Sequence, residues 1–236
     1  MNRYSIYPSL LDGFAYYQSI DDYDLRKAKE QELIDSINRV PHPPIEVASR
    51  GTALNEIVDS IIEARKPTIN YRYNDGCYIC DIDGFQFCFS NKIVYSLIEE
   101  LYDCCCQVLT KAEIEIPQGI VSLYGYADYV RDGEVIDLKT TNHYSVGKYR
   151  DHWQHYVYPY CLTKSGNMSD ISQFYYLVAE LHTDRATDLI DAEFYTEYYP
   201  FNFKDAENSL RNFLSLEFIP FLEDHREVIT DKKIFT

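Results

Sequence analysis

Polar and apolar positions follow two rhythms along this chain. In "SRGTALNEIVDSIIEA", residues 49–64, apolar side chains fall at 53, 54, 57, 58, 61 and 62, the spacing of a helix with one buried face. Ser49 or Thr52 is placed to cap its start. "NKIVYSLIEELYDCCCQVL", residues 91–109, repeats the rhythm at 94, 97, 98, 101, 105 and 108 and predicts a second helix that includes Cys104 to Cys106. A third, amphipathic helix is expected from Asp205 to about Glu223, through Leu210, Phe213, Leu214, Phe218, Phe221 and Leu222. Trp153, Tyr156, Val157, Tyr160 and Cys161 are also helically spaced. Pro159 removes an amide that would bond back to His155, so this helix should kink or start late.

Between these segments the period shortens to two. "GCYICDIDGFQFCFS" holds two β-prone runs around Asp83-Gly84, a hairpin signal. "AEIEIPQG", "IVSLYGYADYV" and "EVIDLKTT" read as strands, the last two joined by a turn at Asp132-Gly133. "QFYYLVAEL" and "DAEFYTEYY" add two more. "PHPP" at 41–44 sets off residues 1–45, read as an N-terminal helical extension whose Asp22–Val40 stretch is charged and helix-permissive. Helix, strands, helix, strands, helix in that order predicts one domain of the α/β or α+β class, with a mixed central sheet flanked by helices.

Composition changes this picture in three places. The chain has 236 residues and no run approaching eighteen apolar residues, so no transmembrane helix is expected. The first residues lack the basic-then-apolar order of a signal peptide. A cytoplasmic location follows as the expectation. Seven cysteines, an odd number, read as reduced thiols. Cys77-x-x-Cys80 lacks a partner pair for a zinc site. The net charge of −16 opposes nucleic-acid binding taken alone. Yet Lys139, Lys148, Arg150 and Lys164, with three histidines, meet only one acid, Asp151, between residues 139 and 169. That strip is either a small nucleic-acid footprint on an acidic body or an accidental gap in the acids.

Chemistry concentrates in "YGYADYVRDGEVIDLKTT", residues 124–141. Residues two apart on a strand share a face, so Asp137 and Lys139 point the same way. A two-residue turn at Asp132-Gly133 pairs Arg131 with Glu134 and Tyr129 with Ile136, which brings Asp128 opposite Asp137. Opposed carboxylates repel and raise each other's pKa unless a cation intervenes. Lys139 offsets part of this. A divalent ion offsets more, and Mg²⁺ prefers one or two carboxylates with several waters. Two carboxylates, a metal and an ammonium are the parts that hydrolyse a phosphodiester. The alternative is a solvated hairpin edge with incidental charges. His143, His152 and His155 read as surface or phosphate-facing residues, not metal ligands.

With "GYADYVRDGEVIDLKTT" stand "RGTALNEIVDSI" and "WQHYVYPY". The three segments, in this order, resemble the motifs of the PD-(D/E)XK nuclease superfamily in its RecB-like branch, over roughly residues 49–162. The early helix of that branch runs G-T-x-x-H-E, and a Q-x-x-x-Y motif follows its lysine strand. "YPSLLDGFAYY" is weakly similar to its opening segment. The resemblance implies a restriction-endonuclease-like fold, with Asp128, Asp137 and the Leu138 carbonyl on Mg²⁺ or Mn²⁺. It implies that Lys139 activates or positions the attacking water, and that Gln154 and Tyr158 order the site and hold the nucleic-acid strand beside Lys148 and Arg150. Asn55 stands where the branch has a metal-binding histidine. An amide oxygen suits Mg²⁺ better than softer metals, so Asn55 implies a weaker site, a shifted metal preference or lost activity. Glu56 matches the acid that follows that histidine and joins the metal set. Some RecB-like nucleases hold an iron–sulfur cluster on one early and three late cysteines. Only Cys161 follows Gln154, so no cluster is expected.

The expectation is a divalent-metal-dependent nuclease that cleaves DNA, single-stranded or at a duplex end. By resemblance it is an exonuclease of recombination, repair or phage replication, with a homo-oligomer or a recombination protein as possible partner. Two rivals stand beside it: a nucleic-acid-binding or regulatory subunit of the same fold with weakened catalysis, and an acidic decoy that mimics nucleic acid.

Overall fold

The computed structural model describes residues 2–235. Among the described residues nine strands form one mixed sheet in the order β1-β6-β7-β8-β9-β4-β3-β2, with β5 also paired to β6. β6 (Gly119–Arg131) is the organising strand. Along one edge it pairs antiparallel with β5 (Cys105–Ile116). Its other edge is shared. β1 (Asn2–Ile6) lies parallel to residues 119–123, and β7 (Glu134–Thr141) lies antiparallel to residues 129–131. Residues 124–128 face neither neighbour's ladder, so β1 and β7 form a fork there.

β7 runs parallel to β8 (Gln173–Thr183), which turns back as β9 (Leu189–Pro200). β9 joins the hairpins of β4 (Phe85–Ser90), β3 (Cys77–Ile82) and β2 (Asn70–Asn74). The Asp83-Gly84 turn has both φ angles positive, 54° and 86°, the primed-turn geometry that suits a twisted hairpin.

Helices cover both faces of the sheet. Ile136, Leu138, Tyr175 and Leu177 bury against α3 (Glu46–Ile62) and α4 (Asn91–Leu101). Val135, Tyr176 and Val178 point the opposite way and bury with Tyr158 and Leu162 of α5 (Gln154–Lys164). A third cluster joins β1, β5 and β6 to α1 (Pro8–Gln18), α2 (Tyr23–Ile37), α6 (Phe203–Phe213) and α7 (Ile219–Asp224).

Four expectations need correction. The first 45 residues are not only helical: Tyr4 and Ile6 of β1 are fully buried in the sheet. α4 stops at Leu101, and Cys105 and Cys106 open β5. Cysteine and valine favour a helix weakly, and the whole length of β6 offers a ladder to this segment. Neither Ser49 nor Thr52 caps α3, which starts earlier, just after Pro43-Pro44; Ser49 Oγ instead donates to Asp83 Oδ2 at 2.7 Å. The last helix is broken by a π-helical turn at Leu214–Phe218. Pro220 cannot donate to the Leu216 carbonyl and its ring crowds it, which shifts the bonding pattern. α5 runs Gln154–Lys164 with Pro159 inside it, five residues after its start. All seven cysteines are free.

Candidate active site

The site forms where the β6–β7 ladder ends. Arg131 pairs with Glu134, Val130 with Val135 and Tyr129 with Ile136, as the turn predicts. One step further the ladder stops, and the Asp128 side chain takes the place of the missing backbone acceptor. Its Oδ2 accepts the Leu138 N–H at 3.1 Å. The N–H and C=O of a strand residue leave on the same side, so the Leu138 carbonyl also points into the fork.

Asp137 is 2% exposed and stands on the α5 face of the sheet. Gln154, the first residue of α5, bridges it to Lys139. The amide Nε2 donates to Asp137 Oδ1 at 2.7 Å, and Oε1 accepts from Lys139 Nζ at 2.7 Å. Lys139 Nζ also lies 2.6 Å from Asp137 Oδ2 and 5.5 Å from the Tyr176 ring centroid. The ammonium meets Oδ2 as an ion pair without hydrogen-bond alignment, because Oδ2 accepts no hydrogen bond among the described residues. Tyr158 packs its ring edge onto β6. A Cβ at residue 125 would sit 2.9 Å from Tyr158 Cε1, so Gly125 is required by close approach.

Asp137, Asp128 and Asp12 lie in the field of this ammonium, and Asp59 acts on Asp128 in turn. Burial, and next the charge of Asp137, push the Asp128 carboxyl up to about 8; Lys139 and the Leu138 N–H only partly oppose them. Asp12 of α1 is also raised by burial, against the Trp153 N–H and the charges of His152 and Lys139, with Asp137 raising it further. Asp59 of α3 is raised by burial, although Tyr129 Oη donates to it at 2.6 Å. Its charge in turn raises Asp128. The Tyr158 and Tyr176 phenols are pushed up by burial and then by Asp137. Buried anions in this excess are costly without a further cation.

The residues fit a hard divalent ion. Asp137 Oδ2 and Asn55 Oδ1 are buried oxygens that make no hydrogen bond among the described residues. Carboxylate, amide and backbone oxygens are the donor set of Mg²⁺ and Mn²⁺. No group of three or more His, Cys, Asp or Glu is gathered to hold a metal among the described residues.

Glu56 does not join them. Its two oxygens take Arg65 at 2.7 and 2.9 Å, and the Thr68 N–H binds at 2.6 Å. The Arg65 contact, above all, holds its carboxyl below the usual range. Lys148 Nζ is occupied by Thr141 Oγ1 at 2.5 Å and the His143 carbonyl at 2.7 Å. Lys148 and Arg150 line an open groove of about 560 Å³ with Asp12, Tyr16, His152 and Trp153. His155 is buried, stacked on Tyr199 with centroids 4.3 Å apart, and burial pushes it down to about 4. His143 is exposed.

Sequence reading missed Asp12 and Asp59. Each is an acid on a buried side of its helix, among Leu10, Leu11 and Phe14 in one case and Ile57 and Val58 in the other. A charge inside an apolar stripe was the available signal.

No family model and no curated protein matches this chain. Among solved structures, one described as the crystal structure of SSO0001 aligns over 90% of this chain and 76% of its own, at 14% identity and a TM-score of 0.42.

Proposed function

We propose that this protein is a divalent-metal-dependent nuclease that hydrolyses phosphodiester bonds in DNA. The observation that supports it most is the convergence of Asp128, Asp137, Lys139 and Gln154 where the β6–β7 ladder ends. The motif resemblance to the RecB-like PD-(D/E)XK nucleases supports the same reading, and the exonuclease subtype rests on that resemblance alone.

Asp128, Asp137 and the Leu138 carbonyl would hold the ion, with Asn55 as a further oxygen donor. Bound Mg²⁺ or Mn²⁺ supplies neutralisation of phosphate charge and a water acidified toward neutral pH. The chain supplies the rest. Gln154 holds the Lys139 head at a fixed height above the strand, so the ammonium can turn to a phosphate oxygen as charge develops there. Tyr158 and Tyr176 exclude water from one side and keep the dielectric low, which strengthens those contacts. Arg150 and Lys148 line the groove beside Asp12 and suit the flanking phosphates.

The test is cleavage of labelled single- and double-stranded DNA with Mg²⁺ or Mn²⁺, with and without chelator. Metal-dependent cleavage that Asp137→Ala abolishes is the expected result. No cleavage under any metal, with a correctly folded protein, overturns the reading.

A second reading keeps the fold and weakens the catalysis, making the protein a nucleic-acid-binding subunit. The 2.6 Å contact of Lys139 with Asp137 Oδ2 favours it, because the ammonium stands against an oxygen that an ion needs. DNA that shifts in a gel but stays intact supports this alternative.

A further inference from the structure

α5 begins without a cap of its own. The residue at its N-cap position, Trp153, has αR geometry (φ −91°, ψ −8°) and makes no side-chain cap bond. The first amides of a helix have no partner within the helix. At α5 the partner comes from another helix: Asp12 of α1 accepts the Trp153 N–H through Oδ1, while its Oδ2 lies 3.6 Å from His152 Nδ1. The carboxylate side chain is only 15% exposed. A negative charge at this end also complements the helix dipole.

The next residue is Gln154, whose amide spans Asp137 and Lys139. Its orientation is determined by those partners, since a flipped amide would turn its NH₂ toward the ammonium. The position of that amide therefore depends on the first turn of α5, and that turn is tied down by Asp12.

We propose that Asp12 is a positioning residue: by holding the Trp153 amide it keeps the Gln154 amide bonded to both Asp137 and Lys139, and so fixes how the carboxylate and the lysine head are oriented toward each other. This rests on the nuclease reading for its catalytic consequence, but the Asp12–Gln154 link is measurable without it. Asp12 itself touches no reacting atom.

The experiment is a double-mutant cycle of Asp12→Ala and Gln154→Ala, with Asp12→Asn beside it, read by kcat, KM, Mn²⁺ affinity and amide exchange at residues 153–157. Asp12→Ala should lower kcat about 10-fold or more with KM changed little, as loss of a group-orienting contact does. It should also weaken Mn²⁺ binding and speed exchange of the first turn of α5. Asp12→Asn retains an oxygen that accepts the Trp153 N–H and should recover most of these losses. In the Gln154→Ala background, Asp12→Ala should cost little more in kcat or Mn²⁺ affinity. Asp12→Leu fills the same space and replaces the alanine variant if that variant does not fold. Additive losses, or an Asp12→Asn variant as impaired as Asp12→Ala, overturn the proposal. If the wild type neither cleaves DNA nor binds Mn²⁺, the nuclease reading fails. The link is then judged on amide exchange alone: acceleration by Asp12→Ala and none by Asp12→Asn supports it, and no acceleration by Asp12→Ala overturns it.

Discussion

Lys139 Nζ stands 2.6 Å from Asp137 Oδ2, on the oxygen that makes no hydrogen bond among the described residues. The same ammonium donates to Gln154 Oε1 at 2.7 Å. A cation already rests against that oxygen, so under the proposed function lysine and metal would compete for it.

Replacing Lys139 by Met therefore separates two roles. The stem is kept and the charge is lost. Mn²⁺ affinity, measured by titration calorimetry, should tighten a few-fold as the competitor disappears. Cleavage should fall about 100-fold or more, because the ammonium no longer meets developing phosphate charge. Weaker Mn²⁺ binding by this variant would show that Lys139 supports the ion and does not compete with it.

Asp128→Asn should stabilise the metal-free protein. The folded carboxyl, pushed up to about 8, holds its proton more tightly than in the unfolded chain. The folded state thus binds more protons between about pH 4 and 8, and the wild type loses stability as pH rises through that window. The variant keeps an acceptor for the Leu138 N–H and loses the buried charge. Its gain over the wild type should grow with pH, reaching about 1–3 kcal/mol near pH 8 in urea melts. Under the proposed function Mg²⁺ should raise the melting temperature of the wild type, and the same variant should not respond. An equal gain at pH 5 and pH 8 would contradict this account.

His155 works in the opposite direction. Its ring is buried beside Tyr156, Tyr176 and Tyr199, with His152 nearby, and burial pushes it down to about 4. The unfolded chain binds the proton more tightly between about pH 4 and 6.5. The contribution of the neutral ring is complete above pH 6.5 and is lost as pH falls through 4, up to about 3 kcal/mol in all. His155→Phe should flatten the stability profile over this window relative to the wild type. Parallel profiles would exclude His155 as the source.

Gly125→Ala tests the packing of β6 against α5. The new methyl would meet Tyr158 Cε1 at 2.9 Å and Pro8 Cδ at 3.3 Å. Tyr158 is buried and its ring cannot retreat freely. Overpacking of this kind costs about 1–3 kcal/mol, measured as a lower urea midpoint with unchanged slope. A variant as stable as the wild type would mean that the ring yields easily.

Individual residues show how far local signals reach. The Asp132-Gly133 turn and period-two spacing were enough to set Arg131 opposite Glu134 and Tyr129 opposite Ile136, because a tight turn dictates register; the ladder ends one step before Asp128. Periodicity also placed α3, but not its first residue. It failed at Cys104 to Cys106, where both rhythms are compatible and pairing with β6 decided the outcome. Glu56 was drawn away by Arg65 and Thr68, residues that follow it by only 9 and 12 positions. No spacing rule distinguishes that ion pair from a place in the site.

By itself, then, the chain's order determined its alternating elements, its hairpins and the placing of Asp137 and Lys139 on one face of a strand, since these follow from short-range backbone geometry. Tertiary structure alone decided that β1 and β7 share one edge of β6 and leave a fork between them. It also decided that Asp12, 125 positions before Asp137 in the sequence, feels that aspartate's charge. Such contacts depend on how whole elements pack, and packing sums many weak apolar contacts that no local pattern encodes.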